Sequence, residues 1–117
     1  MKRRAVRIKR AYEKASREDG LRVLVDRLWP RGLTRTELGA DVWLKDVAPS
    51  PALRRWFGHD ARRWNGFRRR YRAELARRPE ALRVLRDLRR RGPVTLLFAA
   101  RDEAHNNAVV LRETLEA

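Results

Sequence analysis

Leu21-Arg22-Val23-Leu24-Val25-Asp26-Arg27-Leu28-Trp29-Pro30-Arg31-Gly32 opens as an apolar run and ends abruptly in charge, indole, proline and glycine. Leu21, Val23 and Val25 share one face of an extended chain and Leu24 lies on the other, so the spacing predicts a strand over residues 21–26. Arg22 interrupts the second face, and full burial is expected only toward the end of the strand. In open α/β sheets ligands gather beyond the carboxyl ends of strands. The segment therefore points to a parallel sheet and to the place on it where a site belongs.

Val94-Thr95-Leu96-Leu97-Phe98-Ala99-Ala100 is apolar on both faces, as a central parallel strand should be. It too ends in polar chemistry, at Arg101, Asp102, His105, Asn106 and Asn107. If the two strands are parallel neighbours, both clusters share one edge and enclose a crevice. Val6 to Ala11 alternates apolar and basic residues like a half-exposed strand, and Lys14 to Gly20 reads as a loop ending in Asp-Gly. Gly32 to Ala40 holds a short helix, with Thr34 and Glu37 spaced as a capping box. Val42-Trp43-Leu44 is a third strand or a buried helical turn.

Ser50 and Pro51 start a helix that runs to about Phe57, Gly58 ends it, and Asp60 caps the next. Trp64, Phe67, Tyr71 and Leu75 form one apolar helical stripe. After Arg78-Pro79 a second amphipathic helix carries Leu82, Leu85 and Leu88 inward, and Gly92-Pro93 stops it. Ala108 to Leu115 is the closing helix. This order indicates an α/β chain, a small single-domain layered fold over residues 1–117, with a short, mainly parallel sheet flanked by helices.

The chain has 117 residues and no cysteine, which excludes a disulfide framework, a thiolate metal site and a cysteine nucleophile. No apolar stretch approaches the roughly 20 residues that span a bilayer. The basic N-terminus lacks the apolar segment of a signal peptide, so a cytoplasmic protein without membrane association is expected. The net charge is +15, and 26 of the 30 cations are arginine. Thirteen arginines between Arg62 and Arg91 face only Glu74, Glu80 and Asp87, which leaves that segment at +10. Arg62, Arg63, Arg69, Arg70 and Arg77 suit non-specific contact with nucleic-acid phosphates. They equally suit the solvated side of two amphipathic helices, and arginine-rich, alanine-rich usage also follows from GC-rich coding.

The strand ends supply the other candidates. His105, three residues after Asp102 and expected in the first turn of the closing helix, can act as a base or hydrogen-bond donor, with Asp26 across the crevice. Arg27, Arg31, Arg101 and Lys45 can bind an anion, helped by the helix N-terminus, Asp102 and Asn106. Trp29 and Trp43 can wall the pocket or stack on a flat ligand. The structural alternative pairs Asp26 with Arg101 or another arginine, uses Asp102 as the cap of the closing helix, and lets Arg31 fix a loop. His59 in Gly58-His59-Asp60 reads as a loop hydrogen-bonder.

No His-x-x-x-His spacing supports a metal, and no cofactor fingerprint is present. Gly-x-Gly-x-x-Gly and Gly-x-Ser-x-Gly are absent, and Asp102-Glu103-Ala104-His105 has no phosphate-binding loop before it. The expected function is binding of a phosphorylated or carboxylated small molecule, with acid–base chemistry at His105 as an extension. A nucleic-acid module or a non-catalytic structural or interaction protein are the alternatives.

Four blocks carry a family resemblance: Asp19-Gly20 leading through Arg22 to Gly32; Trp43 to Ser50; Leu53 to Asp60; and Thr95 to Leu111, with Phe67 and Arg70-Tyr71 between the last two. Over nearly its whole length the chain resembles the YeaO-like DUF488 family, named for a domain of unknown function. Longer DUF488 proteins carry cysteines around the last strand. The matching stretches here are Phe98 to Arg101 and His105 to Asn107, so thiol chemistry does not transfer. A label of uroporphyrin-III C-methyltransferase, borne by some relatives, implies a glycine-rich cofactor loop that this chain lacks.

Overall fold

Among the described residues four short strands, all parallel, lie in the order β1-β4-β2-β3: β1 Val6–Arg10, β2 Leu21–Leu24, β3 Val42–Trp43 and β4 Val94–Phe98. The computed structural model describes residues 6–117; residues 1–5 of the expected domain lie outside the described residues. The last strand in sequence inserts between β1 and β2, pairing Val6 with Val94 on one side and Leu21 with Val94 on the other. The two strands that end in polar clusters are thus parallel neighbours. Val42–Trp43 is a strand, paired with Val23 and Leu24. A 3-10 turn over Lys45–Val47 follows it.

Both β2 and β4 stop two residues before their expected ends, and the chain bends beyond them, at Asp26 to Leu28 and at Arg101. Single bonds from Val25 N–H to the Leu97 carbonyl (3.1 Å) and from Ala11 N–H to the Phe98 carbonyl (2.7 Å) close the sheet there. Helix α1, Arg35–Leu38, is shorter than expected, since Gly39 adopts a left-handed conformation at φ 62°. Its Thr34–Glu37 capping box is present. Ser50 caps α2, Pro51–Phe57, and Gly58 ends it. Asp60 caps a 3-10 turn that leads into α3, Trp64–Ala76. Helices α4, Pro79–Arg91, and α5, Asn107–Glu116, complete the chain.

The sheet has two unequal covers. Val23, Val25, Leu96 and Phe98 face the main core, built with Phe57, Phe67, Tyr71 and residues of α4 and α5. Leu24 and Leu97 face a smaller cluster with Leu38, Trp29 and Trp43. Arg22 departs from expectation, being only 5 % exposed. Its guanidinium meets Asp19 at 2.5 Å and donates to the carbonyls of Leu38 (2.7 Å) and Gly39 (3.1 Å). A buried charge is tolerated when paired and hydrogen-bonded, and Arg22 is both.

Candidate functional site

A pocket of about 360 Å³ opens where the chain leaves β2 and β4. It is lined by Asp26, Arg27 and Leu28 after β2 and by Ala99 and Ala100 after β4. Arg54, Arg55 and Phe57 of α2 wall one side, with His59 beyond them and Phe67 of α3 behind. His105, Asn106 and Asn107 form the other side.

Asp26 joins the two strand ends. Its Oδ2 accepts the Ala99 N–H at 2.9 Å and its Oδ1 accepts Asn107 Nδ2 at 3.0 Å, while Asn107 Nδ2 also donates to the Val25 carbonyl. Burial pushes the Asp26 carboxyl above its ordinary pKa, opposed by these two donors and by attraction from Arg54 and His59. The ion pair with Arg101 or a neighbouring arginine does not form: among the described residues no arginine hydrogen-bonds or ion-pairs with Asp26, and Arg101 is exposed.

His105 is held by Asp102. The Asp102 Oδ1 accepts the N–H groups of Ala104 and His105, and its Oδ2 takes the imidazole Nδ1–H at 2.8 Å. That hydrogen bond from the His105 ring, ahead of the backbone ones, holds the Asp102 carboxyl below the usual range. With Nδ1 engaged, Nε2 is the nitrogen left for a ligand. The imidazole stands edge-on to Trp64, with ring centroids 5.2 Å apart.

Asp102 does not cap the closing helix. Asn106 does, accepting the Val109 N–H at 3.1 Å. Because Asp102 draws the chain into a turn of its own, His105 precedes α5 instead of sitting in its first turn.

Of the expected ligand contacts, Arg27 and Asn106 line the pocket with Asp26 and His105, although Asn106 spends its side chain on the cap and on the Asp102 carbonyl. Trp29 turns to the opposite sheet face, edge-on to Trp43 at 5.3 Å, with its indole N–H on the Leu33 carbonyl. Trp43 likewise donates to the Asp26 carbonyl. Lys45 lies over the Trp43 ring at 4.0 Å, and Arg31 is exposed, its carbonyl accepting the Tyr12 hydroxyl. Lys45, Arg31, Trp29, Arg101 and Asp102 are not among the lining residues.

Sequence reasoning missed Arg54, Arg55 and His59 as lining groups. His59 carried a signal, being wedged between two helix signals. It is the single non-glycine residue with positive φ among the described residues, at 57°, a conformation that costs energy outside glycine.

On the basic helices, Arg62 forks onto Asp60 at 3.1 Å through both Nε and Nη2. Arg63 and Arg70 fold over Trp56, with Arg70 3.9 Å from the ring centroid. Arg69 and Arg77 are exposed.

The comparisons with known proteins decide the family. Residues 5–117 match the family described as the inactive DUF488-N3 subclade. The chain belongs to the DUF488 family. Within it, the chain is 40 % identical to the uncharacterized protein YeaO of Escherichia coli over 96 % of this chain and 97 % of that one. It is 44 % identical to the uncharacterized proteins Mb3100c of Mycobacterium bovis and Rv3073c of Mycobacterium tuberculosis, over 94 % of this chain and 92 % of each relative. No solved structure matches significantly. Among the described residues of this DUF488 chain, no helix is long and apolar enough to cross a membrane.

Proposed function

We propose that this DUF488 domain binds a small phosphorylated or carboxylated molecule in the pocket between the ends of β2 and β4, and holds it without covalent chemistry. One observation carries the reading. Arg27 lines the pocket, and its Nε–H is buried with no hydrogen-bond partner among the described residues. A buried donor left unmade costs on the order of 1–3 kcal/mol, and an anion that draws the Arg27 guanidinium into the pocket relieves that cost. Arg54, Arg55, His59 and His105 supply further donors around it. His105 and Asp26 take binding roles here, in keeping with the description of the subclade as inactive.

Isothermal titration with inorganic phosphate, phenyl phosphate and benzoate tests this, with tryptophan fluorescence as a second signal, since Trp64 stands against His105. Arg27→Ala is expected to weaken binding about tenfold, the scale of a charge-assisted hydrogen bond, while Arg69→Ala and Arg77→Ala change nothing. Absence of binding by all three probes at millimolar concentration, or an unaffected Arg27→Ala, refutes the reading.

A further inference from the structure

A pocket built only to attract an anion has no use for a carboxylate in its lining. Asp26 lines this one, half-buried, with three arginines around the cavity and none of them hydrogen-bonded or ion-paired to it. Its structural duty is to accept one N–H from Ala99 and one from Asn107. Any acceptor oxygens would perform that duty at less desolvation cost than a charge. Each carboxylate oxygen accepts more than one hydrogen bond, so both retain a lone pair after the internal donors are served.

Part of the lining is apolar: Leu28, which is 60 % exposed, with Pro49, Phe57, Phe67, Ala99 and Ala100. The volume of about 360 Å³ lies within the range of small-molecule sites and leaves room for more than a bare anion. The cavity thus offers three separate environments, namely guanidinium and imidazole donors, apolar and aromatic walls, and one carboxylate acceptor.

Resting on the anion-binding reading above, we infer that the ligand is a small anion with an apolar or ring body that also bears a hydroxyl or amine, and that Asp26 selects it by accepting that group's hydrogen. The anionic head takes Arg27 and its neighbours, and the body packs on Phe57 and Phe67. A ligand that lacks the donor brings its anion toward the Asp26 charge with nothing to offset the repulsion. The discrimination arises because a site with a buried acceptor rejects the analogue that leaves it unpaired.

The test compares inorganic phosphate, phenyl phosphate and the three hydroxyphenyl phosphate isomers on the wild-type domain by isothermal titration. Benzoate and its hydroxy isomers form the parallel carboxylate series. Phenyl phosphate is expected to bind at least roughly tenfold tighter than phosphate, and at least one hydroxyl isomer a further roughly tenfold tighter than phenyl phosphate. Asp26→Asn should abolish the second gain and preserve or improve binding of phenyl phosphate. The wild-type series stands without the variant if Asp26→Asn fails to fold. Equal affinity for all isomers and the unsubstituted parents in both series overturns the inference while leaving the anion site intact, as does an Asp26→Asn that weakens both classes in parallel. Failure of every probe to bind removes the anion site itself, and the inference with it.

Discussion

Replacing Arg22 with Met removes a guanidinium buried in the fold and leaves a side chain of similar length. Arg22 is 5 % exposed and Asp19 2 % exposed, and the contact between them is 2.5 Å. After the substitution Asp19 keeps Lys9 at 3.2 Å and the Ser16 donors, while the carbonyls of Leu38 and Gly39 lose their donors. Removing one partner of a buried pair costs about 3–5 kcal/mol. Lys9 offsets part of this, so about 3 kcal/mol is expected, which lowers Tm by on the order of 10 °C for a domain of this size.

Acid dependence gives an independent reading of the same pair. Burial works against ionisation of Asp19, yet hydrogen bonds from the Ser16 backbone, Lys9, Arg22 and the Ser16 hydroxyl bring its pKa down from 3.8 to about 2. A folded-state pKa below the unfolded value contributes stability above about pH 4 that disappears as pH falls toward about 2. The shift corresponds to about 2 kcal/mol. Urea denaturation of wild type, Arg22→Met, Asp19→Asn and the double variant, from neutral pH down to acid, measures both effects. A loss under about 1 kcal/mol for Arg22→Met at neutral pH, or additive single and double variants, refutes the reasoning, because contacting charges must couple.

Gly20→Ala should be among the most damaging small substitutions. Gly20 has φ 62°, and an added Cβ would stand 2.3 Å from the Pro93 carbonyl oxygen; strain and overlap together cost more than about 2 kcal/mol, read as a lowered urea midpoint. Tyr71→Phe strips the buried hydroxyl that donates to the Val47 carbonyl. A loss of about 1–2 kcal/mol is expected, with helix content unchanged by circular dichroism.

Periodicity and caps made most of the elements legible. Trp64, Phe67, Tyr71 and Leu75 announce α3, and Ser50-Pro51 with Gly58 bracket α2 closely, because these signals act within one or two helical turns. The matching polar ends of β2 and β4 were legible, but their adjacency entered only as a condition, because strand order is a long-range fact that the pairing of Leu21 with Val94 settles. Arg22 was not legible: a buried arginine looks like a solvated one until its partner is placed, and Asp19 reads as part of a turn. The site was half legible. Asp26, Arg27 and His105 follow strands, so their position is local. Arg54, Arg55 and His59 reach the pocket only because α2 packs across the strand ends, a tertiary fact that no spacing encodes. Trp29 and Arg31 sit in the same signature as Asp26, but the loop carries them away from the pocket after Leu28.

The segment from Asp19 to Arg27 therefore contains two devices at opposite ends of one strand. At the entry, Asp19, Gly20 and Arg22 tie β2 to its neighbours: Thr95 Oγ1 donates to the Asp19 carbonyl at 2.7 Å, and Leu21 N–H donates to the Pro93 carbonyl at 2.9 Å. At the exit, Asp26 ties β2 to the chain just beyond β4 through Ala99. Both therefore fix β2 against the same partner strand. They differ in surroundings, since the entry is closed by Arg22 and Pro93 whereas the exit opens on a cavity with an unpartnered Arg27 donor. A charge at the entry is matched by a charge in contact with it; the charge at the exit is not. That asymmetry is the physical ground for reading the first cluster as architecture and the second as a binding site, and it requires that Arg22→Met, while it remains folded, retain the anion affinity that Arg27→Ala loses.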